Sequence, residues 1–148
     1  MNAFTLILDS VLILIALVLL VQFTVLAWVK RKSRSAIRSR YSPQDIIMQS
    51  LAANFFGQTS KKLSQVRGNG ALVLTKDEIW FRLALPAREL TIPLKSITSI
   101  SIKESHLKKK KARPLLYIEF NSLWGIDSAA WMVKGPEEWK RAIEAAHS

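Results

Sequence analysis

The stretch Ala71-Leu72-Val73-Leu74-Thr75-Lys76-Asp77-Glu78-Ile79-Trp80-Phe81-Arg82-Leu83 reads as two short strands joined at the turn residues Lys76-Asp77. The pattern continues downstream. Leu90, Ile92 and Leu94 alternate with Glu89, Thr91 and Pro93, which marks one buried face. Pro93 lacks an amide donor, so it places this strand at an edge or at a strand end. Ile100 and Ile102 alternate with Ser99 and Ser101, and Leu115–Phe120 and Ser128–Val133 supply two more strands. The chain then changes period. Pro136, Glu137 and Glu138 open a helix, and Trp139, Ala142, Ile143 and Ala146 follow on one face. Trp139 is expected in the core, as a plug on an open sheet or barrel end.

Upstream the reading differs. Ser42-Pro43 with Asp45 resembles a helix start, and Ile46, Ile47, Met48 and Leu51 suit one apolar face. A connecting helix is therefore expected over Pro43–Phe56, with Phe55–Leu63 as the source of a first strand. Gly68-Asn69-Gly70 is expected to form a turn.

Val11 to Val29 is a run of 19 residues with no charge. At about 1.5 Å per residue it covers roughly 28 Å, close to the hydrocarbon thickness of a bilayer. Lys30, Arg31, Lys32, Arg34, Arg38 and Arg40 follow with no acid among them, whereas Asp9 alone is charged before the run. A cleaved signal peptide has its basic residues before the apolar core, so this order reads as stop-transfer. The positive flank predicts a single-pass protein with its N-terminus outside and its C-terminal domain in the cytoplasm. Trp28 stands where an interfacial anchor belongs.

The anchor explains much of the composition. The chain of 148 residues has a net charge of +11, and 49% of it is hydrophobic. Six of its 22 Lys and Arg lie in Lys30–Arg40, leaving 16 against ten acids in residues 41–148. The parts are thus residues 1–29, an N-terminal segment and span; 30–42, a basic linker; 43–65, a connecting helix or first strand; and 66–148, a domain. Cys is absent, which excludes disulfides, thiolate metal sites and a Cys nucleophile.

The order of these strands resembles GRAM-like domains of the pleckstrin-homology (PH) type. Gly70–Thr75 with Glu78–Phe81 is similar to their "G-x-L-x-L-T … L-x-F" opening. Arg88–Leu94 with Ser96–Ile100 is similar to their "IP-hydrophobic-x-x-I-x-x-I" strand pair. The resemblance covers Val66 to Ala146. It implies a mainly β fold with a C-terminal α-helix, a PH-like (GRAM-like) barrel or sandwich, here preceded by a single transmembrane α-helix. It also implies a binding module, not an enzyme, with lipids, peptides or proteins as ligands.

No catalytic constellation is visible, and no cofactor is expected. His106 falls in a basic connection and His147 in the tail; no His or Cys cluster suits a transition metal. Glu137 and Glu138 are explained by the helix start. The partner candidates are therefore surfaces. Lys108, Lys109, Lys110 and Lys111, flanked by Lys103 and Arg113, form a basic connection suited to anionic lipid headgroups. Leu123, Trp124 and Ile126 form an apolar connection suited to a bilayer or another membrane protein. Nucleic acid is the weaker partner, because Trp80, Phe81, Tyr117 and Trp131 fall on core strands and are not interleaved with the basic residues.

Overall fold

The computed structural model describes residues 2–64, 66–106 and 109–148, with the side chains of 62–64, 105–106 and 109–112 outside the description. Helix α1 (Ala3–Arg40) leads into strands β1 (Ile46–Gln58), β2 (Gly68–Thr75), β3 (Glu78–Leu83), β4 (Arg88–Pro93), β5 (Ile97–His106), β6 (Lys109–Ser122) and β7 (Gly125–Met132), then helix α2 (Pro136–His147). The seven strands form one antiparallel sheet in the order β4-β3-β2-β1-β7-β6-β5.

Its two edges are β4 and β5, which are consecutive in the chain and joined by the single turn Leu94–Ser96. A flat sheet of this width would separate its edges by roughly 29 Å, at about 4.8 Å per strand. Four peptide steps reach only about 14 Å. The sheet must curl, and its inner face closes around one core. Leu72, Leu74, Ile79 and Phe81 from one half meet Leu116, Ile118, Phe120 and Trp131 from the other. Trp139 and Ile143 of α2 enter the same core, so the C-terminal helix plugs it as its stripe implies. Pro93 lies on the edge strand β4, where a missing donor is tolerated.

Strand β2 is buried on both faces. Leu72 and Leu74 point to the core, whereas Ala71 and Val73 join Trp80 and Ile37 on the outer face. The cover is α1 itself. This helix is 38 residues long, apolar enough in its first part to cross a membrane, and unbroken through its basic end. Its buried residues are Val29, Ser33 and Ile37, spaced four apart on one side.

Three expectations need correction. No helix forms over Pro43–Phe56: one 3-10 turn, Pro43–Asp45, precedes the 13-residue strand β1, which ends with Phe55–Gln58, so the first strand expected at Phe55–Leu63 starts earlier and gives way to a 3-10 turn at Thr59. Two register shifts, between Ile46 and Met48 and between Ser50 and Ala53, explain the misreading. Each extra residue turns the strand over, so Ile46 and Leu51 pack outward while Met48 and Phe55 pack inward. The resulting spacing imitates a helix.

Gly68-Asn69-Gly70 is not a turn but the start of β2. A Cβ on Gly70 would stand 2.1 Å from the Arg82 carbonyl oxygen, so glycine is required there by close approach of two strands. The basic connection is shortened from both sides. Lys103 pairs with Leu115, Ser105 with Lys110 and His106 with Lys109, which extends β5 and β6 into a long hairpin.

Trp139 is fully enclosed, so Trp139→Ala should destabilise the barrel by about 3–5 kcal/mol. Thermal unfolding of the full chain in detergent, followed by near-UV circular dichroism, checks this; a shift of under a degree would contradict the plug.

Candidate functional site

The C-terminal end of α1 is tied to the sheet by a polar cluster. Arg40 Nη2 lies 3.2 Å from Glu78 Oε1, and its Nη1 lies 3.7 Å from Glu89 Oε2. The Tyr41 hydroxyl donates a short hydrogen bond to Glu78 and accepts one from Arg40 Nε at 2.9 Å. Trp80 Nε1 donates to Glu89 at 3.2 Å, and the Tyr41 ring packs edge-on against Trp80. Burial and the Glu78 carboxylate push the Tyr41 hydroxyl up to about 12. Hydrogen bonding to Tyr41, and then to Glu78, raises the Arg40 guanidinium above its ordinary value, although burial opposes it.

This cluster sets direction. Glu78, at the start of β3, lies beside Arg40, and the far end of β3 lies beside Lys32, Ser33 and Ala36. Strand β3 therefore runs back along α1 toward the apolar segment. The β3–β4 turn carries Leu85, 70% exposed, and points the same way. A cavity of about 210 Å³ lies in the seam between this turn and the helix.

The register carries that end across the sheet. Leu83 pairs with Gly70, Gly68 with Phe55, and Gln58 with Ala129, close to the β6–β7 tip. Lys61 and Leu90 line a small cavity with Leu83 and Arg88, and also line a groove of about 580 Å³ with Leu123 and Trp124. The rim formed by the 3-10 turn Thr59–Ser64 and the β6–β7 tip adjoins the β3–β4 hairpin through Lys61 and Leu90, and its groove runs on past Thr91, Pro93 and Ser96 to the end of β4 that pairs with Glu78. At the tip Leu123 and Trp124 are 97% and 94% exposed, and Ile126 is also exposed.

Asp127 braces this tip. It accepts hydrogen bonds from Ser60 N at 2.9 Å, Ser60 Oγ at 2.7 Å and Gln58 Nε2, while Thr59 and Ser128 share a short hydroxyl contact. Burial opposes its ionisation, but the donors from Ser60, Gln58 and Ser128 outweigh it and hold the carboxyl below its ordinary value.

The two expected contact surfaces are not brought together. Lys109 and Ser122 are opposite ends of β6, 13 residues apart and roughly 43 Å along the strand. Lys108 and the side chains of Lys109, Lys110 and Lys111 lie outside the described residues, as does the His106 side chain. Lys103 sits on the strand with its ammonium 3.5 Å from the Tyr117 ring centroid, and Arg113 is exposed. Of the basic residues that follow the apolar run, Lys30, Arg31, Lys32, Arg34 and Arg38 are exposed, and Arg40 is ion-paired. His147 is exposed. Trp80, Phe81 and Trp131 are buried as expected, and Tyr117 is half-buried. Among the described residues no group of three or more His, Cys, Asp and Glu is placed to hold a metal.

The sequence reading missed Leu85, Arg82, Ser33 and Asp127. One signal was available: Val29, Ser33 and Ile37 repeat every four residues inside the basic flank, a covered stripe where a solvated linker was expected. Neither a protein-family model nor a curated protein matches the chain.

Two pH responses follow. Tyr41 is held neutral by the fold, so its contribution to stability is present below about pH 10 and is lost as pH rises toward 12. Alkaline melts of the full chain should show this loss, and Tyr41→Phe should remove it. Asp127 is held ionised, so its contribution is present above its ordinary value of 3.8 and is lost as pH falls through the depressed one. Asp127→Ala should cost about 2 kcal/mol at neutral pH, and a melt unchanged at pH 7 would contradict the brace.

Proposed function

We propose that the protein is a non-enzymatic, single-pass membrane protein that holds a PH-like, GRAM-like module at the cytoplasmic face and binds anionic lipid headgroups there. The strand order β4-β3-β2-β1-β7-β6-β5, curled around one core and plugged by α2, supports the PH-like reading. The long apolar helix with its basic flank supports the topology.

The observation that carries the proposal is the unbroken passage of α1 onto the outer face of the sheet. A flexible linker would leave the orientation of the domain open. Here Ser33 and Ile37 lie on the same rigid helix as the apolar run, and β3 runs back toward that run. The β3–β4 turn is therefore the part of the domain nearest the bilayer, and the rim adjoins it through Lys61 and Leu90.

The rim suits this position. Leu85, Leu123 and Trp124 are exposed apolar residues, each worth about 2 kcal/mol when buried. Lys61 and Arg88 line the cavity that adjoins the rim, each worth about 1 kcal/mol beside an anionic leaflet. The span already localises the chain, so this energy goes into tilt and headgroup contact. The lysine hairpin lies at the other end of β6, several times the Debye length of about 8 Å away. It does not share a contact surface with Trp124.

A second reading has one observation in its favour. The groove beside Trp124 is separate from the lysine hairpin and broad enough for a peptide segment, as in an assembly subunit docking another membrane protein.

The full chain with Trp28→Phe, reconstituted in nanodiscs containing phosphatidylserine with brominated acyl chains, separates the two. Lipid contact predicts quenching of Trp124 that disappears in a Trp124→Phe partner variant. Equal quenching with and without Trp124 would sink the lipid reading and leave the protein partner.

A further inference from the structure

We propose that the seam between α1 and the β3–β4 hairpin is a binding site for the phosphate group of a membrane lipid. The inference rests on the reading that α1 spans the bilayer. It concerns a different place from the rim.

The cavity there holds about 210 Å³. Lys32, Ser33, Ser35 and Ser39 line it from the helix, and Arg82 and Ala84 from the barrel. Two cationic residues and three serines line one space, with no acidic residue in its lining among the described residues. Arg82 also pairs with Glu89, Nη1 to Oε1 at 3.6 Å. The ammonium, the guanidinium and the hydroxyls of Ser33 and Ser35 can donate to phosphate oxygens, and Arg suits them in pairs; the Ser39 hydroxyl already donates to the Ala36 carbonyl.

Ser33 is the decisive residue. It is 3% exposed, and its Oγ is buried with no hydrogen-bond partner. Two other serines of this helix are paired: Ser10 donates to the Leu6 carbonyl and Ser39 to the Ala36 carbonyl, both at 2.8 Å. An unpaired buried hydroxyl is destabilising, and alanine would fill the same position without that loss. A hydroxyl retained beside an electropositive cavity fits an acceptor that enters it.

Depth gives the acceptor its source. From Val29, the last residue of the uncharged run, Ser33 is roughly 6 Å along the helix and Ala36 roughly 10 Å. The headgroup layer of one leaflet is about 5–8 Å thick. The Lys32 ammonium lies 4.6 Å from the Trp28 ring centroid, which holds it at the interfacial side of the cavity. The space accommodates a phosphate with part of its glycerol, and the acyl chains of the same lipid would lie along the apolar run.

The test uses the full chain in a neutral detergent with three probes: dihexanoyl phosphatidic acid, dihexanoyl phosphatidylcholine and inorganic phosphate. Phosphatidic acid should bind and raise the melting temperature, with phosphatidylcholine and inorganic phosphate weaker by about tenfold or more. Ser33→Ala should raise the melting temperature of the ligand-free protein yet weaken phosphatidic acid about tenfold, as expected for one hydrogen bond to a charged group. Arg82→Gln should weaken it at least as much. Unchanged affinity in Ser33→Ala overturns the site. Equal binding of inorganic phosphate and phosphatidic acid overturns the lipid assignment. Trp124 quenching that persists in Ser33→Ala confines either failure to the seam and leaves the rim reading intact.

Discussion

The rest of the structure depends on the contact between Ile37 and Ala36 of α1 and the outer face of the sheet. Strand β2 has an apolar residue at every position from Ala71 to Leu74, and both of its faces need cover. The core takes Leu72 and Leu74. The outer face would otherwise expose Ala71, Val73 and Trp80 to water, and the end of α1 encloses them. One packing interaction therefore completes the barrel and joins it rigidly to the apolar helix.

The polar cluster at Arg40 acts on the same joint. An exposed ion pair contributes little by itself. Here Arg40, Tyr41, Glu78, Glu89 and Trp80 share hydrogen bonds around a buried indole, so the cluster fixes the rotation of the helix over the sheet. Rotation decides which strand ends lie near the apolar run. The rim and the seam cavity both inherit their position from it.

Much of the fold was legible because it rests on local periodicity. Leu90, Ile92 and Leu94 alternate with polar residues and Pro93, the Trp139 stripe has clean helical spacing, and a strand and a helix formed there as expected. Strand β1 was illegible because two bulges broke its alternation into a helix-like spacing. The apolar residues Leu123, Trp124 and Ile126 were legible as a surface because they fall in a connection. Ser33 and Leu85 were not, because neither carries a local signal; each matters only through what packs beside it.

By itself the sequence determined the segregation of charge and apolar residues, the order of six of the seven strands and the plugging helix. These follow from composition and from periods of 2 and 3.6 residues, which need no knowledge of distant contacts. Tertiary structure alone decided that the basic segment is a covered helix face and that the lysine hairpin and Trp124 stand at opposite ends of one strand. It also decided that the β3–β4 turn lies against Lys32 and Ser33. Those facts depend on strand register and helix rotation, which pair residues tens of positions apart and leave no period in the chain.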